Sequence, residues 1–486
     1  MKKKLNIVWL KRDLRTFDHE PLHEAEKLKI DYIIIYLFEP VLMNEPDCSK
    51  RHQQFVYHSI LDINFFLKDF NREVIVFNVD AHTIFNFLIS KYNIKNVLSY
   101  QESGTLKTWE RDKSIRKLFK SNSVKWIEFK NQGIIRGASN RIGWDKQWHY
   151  YVNSSIVENK FSYNYFKFNN KDYLLEIENF KYLKNYPQNF QPAGQKYALK
   201  YLNSFVKERA KLYNYNISNP EMSRFSCSRL STYLAWGNIS VRFIYQYIKN
   251  SSNFKKNKSQ FTSFYSRLKW RSHFIQKFET DCSYEFKCIN KGYEKMSYSN
   301  SDIFLENWKE GTTGFPMVDA SMRCLIKNGW LNFRMRAMLV SFLCHYLEQD
   351  WRRGVYHMAR LFLDYEPGIH YTQFQMQAGV TGINSIRVYN PIKQSKEKDS
   401  DAKFIKKWLP ELSSFDVPFI HEPWKLTEFD LINKTIPFFY RNPIISTDLS
   451  RTKVTNQLWS LRSDSMVKNE SKRLLRIHVR PKTNNS

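Results

Sequence analysis

LNIVWLKRDLR, residues 5–15, decides how the first part of the chain is read. The apolar run Leu5 to Leu10 follows a basic Met1-Lys2-Lys3-Lys4 start that resembles a secretory n-region. It is halted at once by Lys11, Arg12 and Asp13, so it reads as a first strand and not as a signal segment. Working outward, YIIIYLF (32–38), VIVFNV (74–79), NVLSY (96–100) and KWIEF (125–129) repeat the short apolar run. Amphipathic stretches, 51–70 and 81–92 among them, separate these runs, and the alternation predicts an α/β domain on a doubly wound parallel sheet. The turn after the first strand carries WLKRDLR (9–15) where a dinucleotide fingerprint would need GxGxxG, so no dinucleotide is expected on it.

Farther along, the pattern changes twice. From 131 to 195 the chain is rich in Asn, Lys, Tyr and Phe with little periodicity, which predicts a long interdomain linker. After Gln195 helical spacing takes over, at 198–213, 228–249, 317–328, 333–349 and 354–363. The expected division is therefore an α/β domain (1–130), a linker (131–195), a helical domain (196–445) and a basic, solvated tail (446–486). The run 393–407 mixes acids with its lysines and reads as a solvated loop.

At 486 residues two or three domains are expected, and with 42% hydrophobic and 16% aromatic residues the chain is globular. Seventy-six Lys and Arg against forty-seven Asp and Glu leave a formal +29, a field that attracts polyanions, nucleic acid first. Charge alone is met equally well by a generally lysine-rich composition. The six cysteines (Cys48, Cys227, Cys282, Cys288, Cys324, Cys344) show neither CxxC nor Cys/His spacing. No metal site and no disulfide framework is predicted, and reduced thiols in a cytoplasm are. No apolar stretch approaches the roughly 20 residues of a membrane span, so no membrane partner is expected.

SCSRLS (226–231) gathers hydroxyls, amides and a guanidinium where a helix is expected to start near Leu230, a place suited to phosphate. The alternative is a plain N-cap with an outward arginine. The decisive window follows: EGTTGFPMVDASMR (310–323), Gly329-Trp330 with the Arg-x-Arg pair at 334–336, DWRRG (350–354), and RVYNP to FIKKWLPEL (387–412).

In these motifs, in this order, the chain closely resembles the flavin-binding domain of photolyases and cryptochromes, and with SCSRLS and WLKRDLR the resemblance covers nearly its whole length. The resemblance implies a Rossmann-like α/β antenna domain, an all-α FAD-binding domain and a bent FAD. Tyr213, Cys227, Ser228, Arg229, Leu230 and Ser231 would hold its phosphates and ribitol, with Arg271 nearby. Asp364, Tyr365 and Glu366 would lie beside the flavin ring and adenine, and His370 would face the flavin N5, where repair enzymes usually have asparagine. Trp308 and Trp351 match the outer and middle members of an electron-transfer chain whose inner position is Phe374. Phenylalanine is hard to oxidise, so either another aromatic such as Tyr371 substitutes or photoreduction is slow. Trp270, Arg334 and Arg336 would meet damaged DNA, single- or double-stranded. Two lesion-side glutamates of the family are replaced by Arg267 and Ser272, and Asn332 and Phe333 stand where a (6-4) enzyme has histidines. The antenna is a folate, a deazaflavin or none, and one that is present would sit near Glu102 and Trp109 to Asp112.

The activity implied is a monomeric, cytoplasmic deoxyribodipyrimidine photo-lyase. The alternatives are a cryptochrome-type blue-light receptor with little or no repair, and a redox flavoprotein independent of light.

Overall fold

The computed structural model describes residues 2–163, 165–432, 434–448 and 452–479. The chain divides into two compact units. The first comprises Met1–Glu208, Ser228–Cys282 and Leu363–Ile369, and the second Arg209–Cys227, Ser283–Phe362 and His370–Ser486.

In the first unit the five predicted runs form β1 (Lys4–Leu10), β2 (Tyr32–Leu37), β3 (Val74–Phe77), β4 (Asn93–Tyr100) and β5 (Lys125–Phe129). They make one parallel sheet of order β3-β2-β1-β4-β5. Helices α1 (Glu20–Lys27), α2 (Lys50–Leu67), α3 (Ala81–Lys91) and α4 (Leu106–Ser121) connect the strands, so Leu5, Ile7, Ile33, Ile35 and Val97 are buried on one face and Val8, Ile34 and Leu98 on the other, as near-continuous apolar strands require. The chain reverses its winding between β1 and β4, and the carboxyl ends of those two strands flank the crevice where an open α/β sheet binds ligands.

The stretch 131–195 is more ordered than its composition predicts. It holds α5 (Trp144–Asn153), which buries Trp144 and Trp148, and its Phe168 joins the core of the sheet. The helix expected over 228–249 is broken into Ser231–Ala235 and Val241–Lys249. Gly237 lies between them at φ +71°, and a Cβ there would come within 2.2 Å of the Arg12 carbonyl oxygen, so a continuous helix would collide with the end of β1. The long helix α6 (Lys258–Glu279) completes the part of this unit that concerns the site.

The second unit is helical, with α7 (Asp302–Glu310), α8 (Pro316–Asn328), α9 (Phe333–Ser341), α10 (Trp351–Leu361) and α11 (Pro367–Ala378), of which His370 onward belongs to this unit. The helix expected over 333–349 passes at Phe342–Tyr346 into a π turn. The run 393–407, expected as a loop, forms helical turns at Pro391–Lys398 and Lys403–Trp408, because Phe404 and Ile405 are buried between its charges. The expected solvated tail is likewise corrected: α12 (Lys453–Leu461) buries Val454 and Leu458, and α13 (Ser465–His478) buries Val467 and Leu474. Residues 449–451 and 480–486 of that tail lie outside the described residues. No described helix is long and apolar enough to cross a membrane, and among the described residues no cluster of His, Cys, Asp and Glu could hold a metal ion.

Candidate functional site

The crevice at the carboxyl edge of the sheet is a cavity of about 140 Å³ lined by the ends of β1 and β2, by Glu102 after β4 and by Thr105, Thr108 and Arg111 of the following turn and helix. Arg12 organises it. Its guanidinium lies 4.6 Å from the Trp236 ring and donates to the Tyr365 carbonyl at 3.0 Å. His52 stacks on Tyr365 at 5.6 Å and 13°, and the Tyr365 hydroxyl donates to Asp47. Burial alone would lower the Arg12 guanidinium, but the charges of Glu366 and Glu102 outweigh it and raise it. Of the antenna-pocket residues expected from sequence, Glu102 and Arg111 line the cavity, whereas Trp109 and Asp112 do not. Asp112 is instead fixed by Lys11 at 3.2 Å, Arg111 at 2.9 Å and Arg136 at 2.9 Å, cations that hold its carboxyl well below the usual range against the opposing effect of burial. Sequence reasoning misses Asp47, His52 and Trp236, and it marks Arg12 only as part of WLKRDLR.

Next to this cavity α6 presents Arg271, which donates to Glu366 at 2.9 Å, to the Leu234 carbonyl at 2.9 Å and to Gln132. Burial lifts the Glu366 carboxyl and lowers the Arg271 guanidinium, and each charge opposes that effect on the other. Immediately before it, Trp270 is 51% exposed, with the Arg267 guanidinium 4.5 Å from its ring. Ser272, expected on the lesion side, is completely buried, so it presents nothing to a surface. At the end of the same helix Glu279 is buried and accepts from the Gly137 amide, and burial pushes its carboxyl up to about 7. A folded-state value above the unfolded one makes stability fall as pH rises from about 4.5 to about 7. Glu279→Gln should therefore stabilise the protein by roughly 3 kcal/mol at pH 8 and by almost nothing at pH 4, read from urea unfolding at both values.

The SCSRLS segment does not open a long helix. Ser231–Ala235 is a single short one. Arg229 takes a left-handed φ of 58° and is clasped by Gln191, which accepts from its guanidinium at 3.1 Å and donates to its carbonyl at 2.6 Å. Ser228 Oγ accepts from the Leu230 amide at 3.3 Å, and Thr232 Oγ1 is buried with no hydrogen-bond partner. Hydroxyls, a guanidinium and an orphaned buried oxygen in one turn form a donor set that fits a phosphate or a polyol. Asp364 is half-buried in this unit.

In the second unit Tyr213 is buried and Arg209 donates to the Cys227 carbonyl. Trp308 and Trp351 are both completely buried, and the Trp308 indole donates to the Leu339 carbonyl at 3.1 Å. His370 lies 2.9 Å from the Val355 carbonyl through Nε2, which must carry the proton because a carbonyl only accepts, so a neutral His370 has Nδ1 as its acceptor. Its ring neighbours are Tyr371 at 5.6 Å, Phe374 at 5.7 Å and Phe362 at 6.2 Å. Arg336 lies 4.0 Å from the Phe362 ring and Arg334 5.5 Å from Tyr389, both half-buried. Much of the 310–323 motif is structural. Asp319 accepts from Thr313 and from the Gly314 amide, with burial raising it to about 6, and Arg323 ties the Gly311 carbonyl to Glu411 of WLPEL.

Two family descriptions match this chain, DNA photolyase over residues 6–140 and the FAD binding domain of DNA photolyase over 264–460. A Buchnera aphidicola deoxyribodipyrimidine photo-lyase is 25% identical over 92% of this chain and 95% of its own. An Alkalihalophilus pseudofirmus deoxyribodipyrimidine photo-lyase is 34% identical over 51% of each chain, and a Synechocystis cryptochrome DASH 26% identical over 87% of this chain and 90% of that one. Among solved structures, a class III photolyase from Agrobacterium tumefaciens superposes with TM-score 0.83 at 22% identity, covering 96% of this chain and 98% of that one, a likeness of fold. An archaeal photolyase from Sulfolobus tokodaii, solved with two FAD molecules, superposes with TM-score 0.76 at 25% identity, covering 94% and 99%. The chain belongs to the DNA photolyase/cryptochrome family and carries its FAD-binding domain.

Proposed function

We propose that this chain is a blue-light-dependent flavoprotein that splits cyclobutane pyrimidine dimers in DNA, acting as a cytoplasmic monomer. The observation that carries the reading is Trp270, half-exposed on a helix whose next residue is the buried Arg271. It offers a stacking face to an extruded base while its neighbour is held rigid from below. The formal +29 and Arg334 and Arg336 supply attraction to the phosphate backbone.

Ser228, Arg229, Leu230 and Ser231, with Tyr213 and Cys227, would hold the FAD phosphates and ribitol, Arg271 lying close by. Asp364, Tyr365 and Glu366 would hold the flavin ring and adenine, and His370 would meet N5 and govern protonation there. When bound, reduced and excited by blue light, FAD supplies the electron that opens the dimer and receives it back. Trp308 and Trp351 match two members of the family's photoreduction route, which Phe374 interrupts at its inner position. The α/β domain, 1–130, would house an antenna, a folate or a deazaflavin, in the cavity of Arg12 and Glu102.

The second reading, a cryptochrome-type receptor, is favoured by the guanidinium of Arg267 on Trp270 and by the burial of Ser272, which together leave the lesion side without its two carboxylates. Reduced holoprotein illuminated with dimer-containing oligonucleotides, single- and double-stranded, separates the two. Restored pyrimidines in the light and none in the dark are expected. A flavin that responds to light while neither substrate is repaired would transfer the chain to the receptor reading.

A further inference from the structure

We propose that Tyr371 and Tyr356 form the outward electron relay of this protein, a role that rests on the flavin reading above. Two features close the tryptophan route. Phe374, 3% exposed, has a phenyl ring that gives up an electron far less readily than a phenol or an indole. Trp308, which would face solvent as the last member, is 0% exposed with its indole N–H tied to Leu339, so a dissolved reductant does not reach it.

The tyrosines avoid both obstacles. Tyr371 is completely buried and adjoins His370, ring to ring at 5.6 Å. It also meets Tyr356 on α10, edge to face at 6.4 Å and 81°, and Tyr356 is partly exposed. The contact between the two is held by the His370 Nε2 bond to Val355, the residue before Tyr356, which pins α11 to α10 at that point. An inside donor and an outside donor thus stand in van der Waals range, ordered from buried to wet. In the net step, excited oxidised flavin gains one electron. Tyr356 loses one electron from its ring and its phenolic proton to water, and Tyr371 is restored. A dissolved thiol then returns an electron and a proton to Tyr356 and becomes a thiyl radical, and the thiyl radicals of two turnovers couple to one disulfide.

Holoprotein carrying either ring-deuterated tyrosine or ring-deuterated tryptophan, frozen under blue light, identifies the radical by electron paramagnetic resonance. A line that narrows only with deuterated tyrosine, together with photoreduction by thiol slowed roughly tenfold or more in Tyr356→Phe, is the expected result. Narrowing only with deuterated tryptophan overturns the relay and leaves the flavin reading intact. No light-induced radical and no flavin reduction overturns both. Apoprotein oxidised by a flash-excited ruthenium complex gives a readout without flavin: the tyrosyl yield should fall in the Tyr356→Phe, Tyr371→Phe double variant below that of the parent chain, whose other exposed tyrosines supply the remainder, and equal yields would sink the proposal.

Discussion

Arg271→Met should lower unfolding stability by about 3 kcal/mol and release the flavin during purification. The methionine fills a similar volume, so the loss is electrostatic rather than a cavity effect. Arg271 and Glu366 are 9% and 5% exposed in their side chains, and breaking a buried pair leaves one charge without its partner, at a typical cost of about 3–5 kcal/mol. The lower end applies because Arg12 still acts on Glu366. The Leu234 carbonyl and Gln132 also lose a donor. Burial raises the Glu366 carboxyl, so without Arg271 the residue takes up a proton more readily, and the variant should be relatively less impaired at pH 5 than at pH 8. Urea unfolding at both pH values measures this, with bound flavin read from visible absorption. Adding Glu366→Gln should recover part of the lost stability, because the orphaned charge is then gone. A single variant as stable as the parent at pH 8 would show that the pair does not support the fold.

How much of the fold and of the site is legible in the amino-acid sequence depends on whether the signal is local. All five strands show there to within three residues of their ends, β1 and β2 because parallel strands buried on both faces appear as unbroken apolar runs, and the half-exposed edge strand β5 because Trp126, Ile127 and Phe129 still stand out between its charges. The end of β1 stands out as a turn without GxGxxG, but its partners do not. Asp47 reaches the cavity from a loop, His52 from the first turn of α2 and Trp236 from the turn after a short helix, and nothing in their immediate sequence marks them. The break at Gly237 is invisible for the same reason, since what forbids the helix there is the carbonyl of Arg12, more than two hundred residues earlier. In the last stretch the signal is present and outweighed. Val454 with Leu458 and Val467 with Leu474 keep helical spacing, yet each pair stands among basic and polar residues that read as a solvated tail. In the helical motifs, position in a known pattern marks Asp319 and Arg323 only as signature residues. The geometry makes them clamps on the turn before α8.

His345 should remove about 3 kcal/mol of stability as the solution is acidified from pH 6.5 to pH 4. His345 is completely buried in the π turn. The Tyr389 amide donates to Ser341 Oγ at 2.9 Å, the Ser341 hydroxyl donates to His345 Nδ1 at 2.9 Å, and His345 Nε2 donates to the Ala378 carbonyl at 3.2 Å. Every member of that chain has its proton placed by the next, and the imidazole is neutral. A second ring proton would have to sit on Nδ1, against the hydroxyl proton of Ser341, and the cation would have no carboxylate to face. Burial accordingly lowers the imidazole from 6.5 to about 4. A folded-state value below the unfolded one means that the stabilisation is fully present above pH 6.5 and disappears on the way down to pH 4. His357, lowered to about 4 mainly by burial, adds a slope of the same sign. Asp319, raised to about 6, acts in the opposite sense, its burial costing stability as pH rises from 3.8 toward 6. His345→Gln isolates the histidine, because an amide can accept from Ser341 and donate to Ala378 without titrating. Its unfolding free energy between pH 7 and pH 4 should fall by about 3 kcal/mol less than that of the parent chain, and equal slopes for the two would remove His345 as the source of the acid sensitivity.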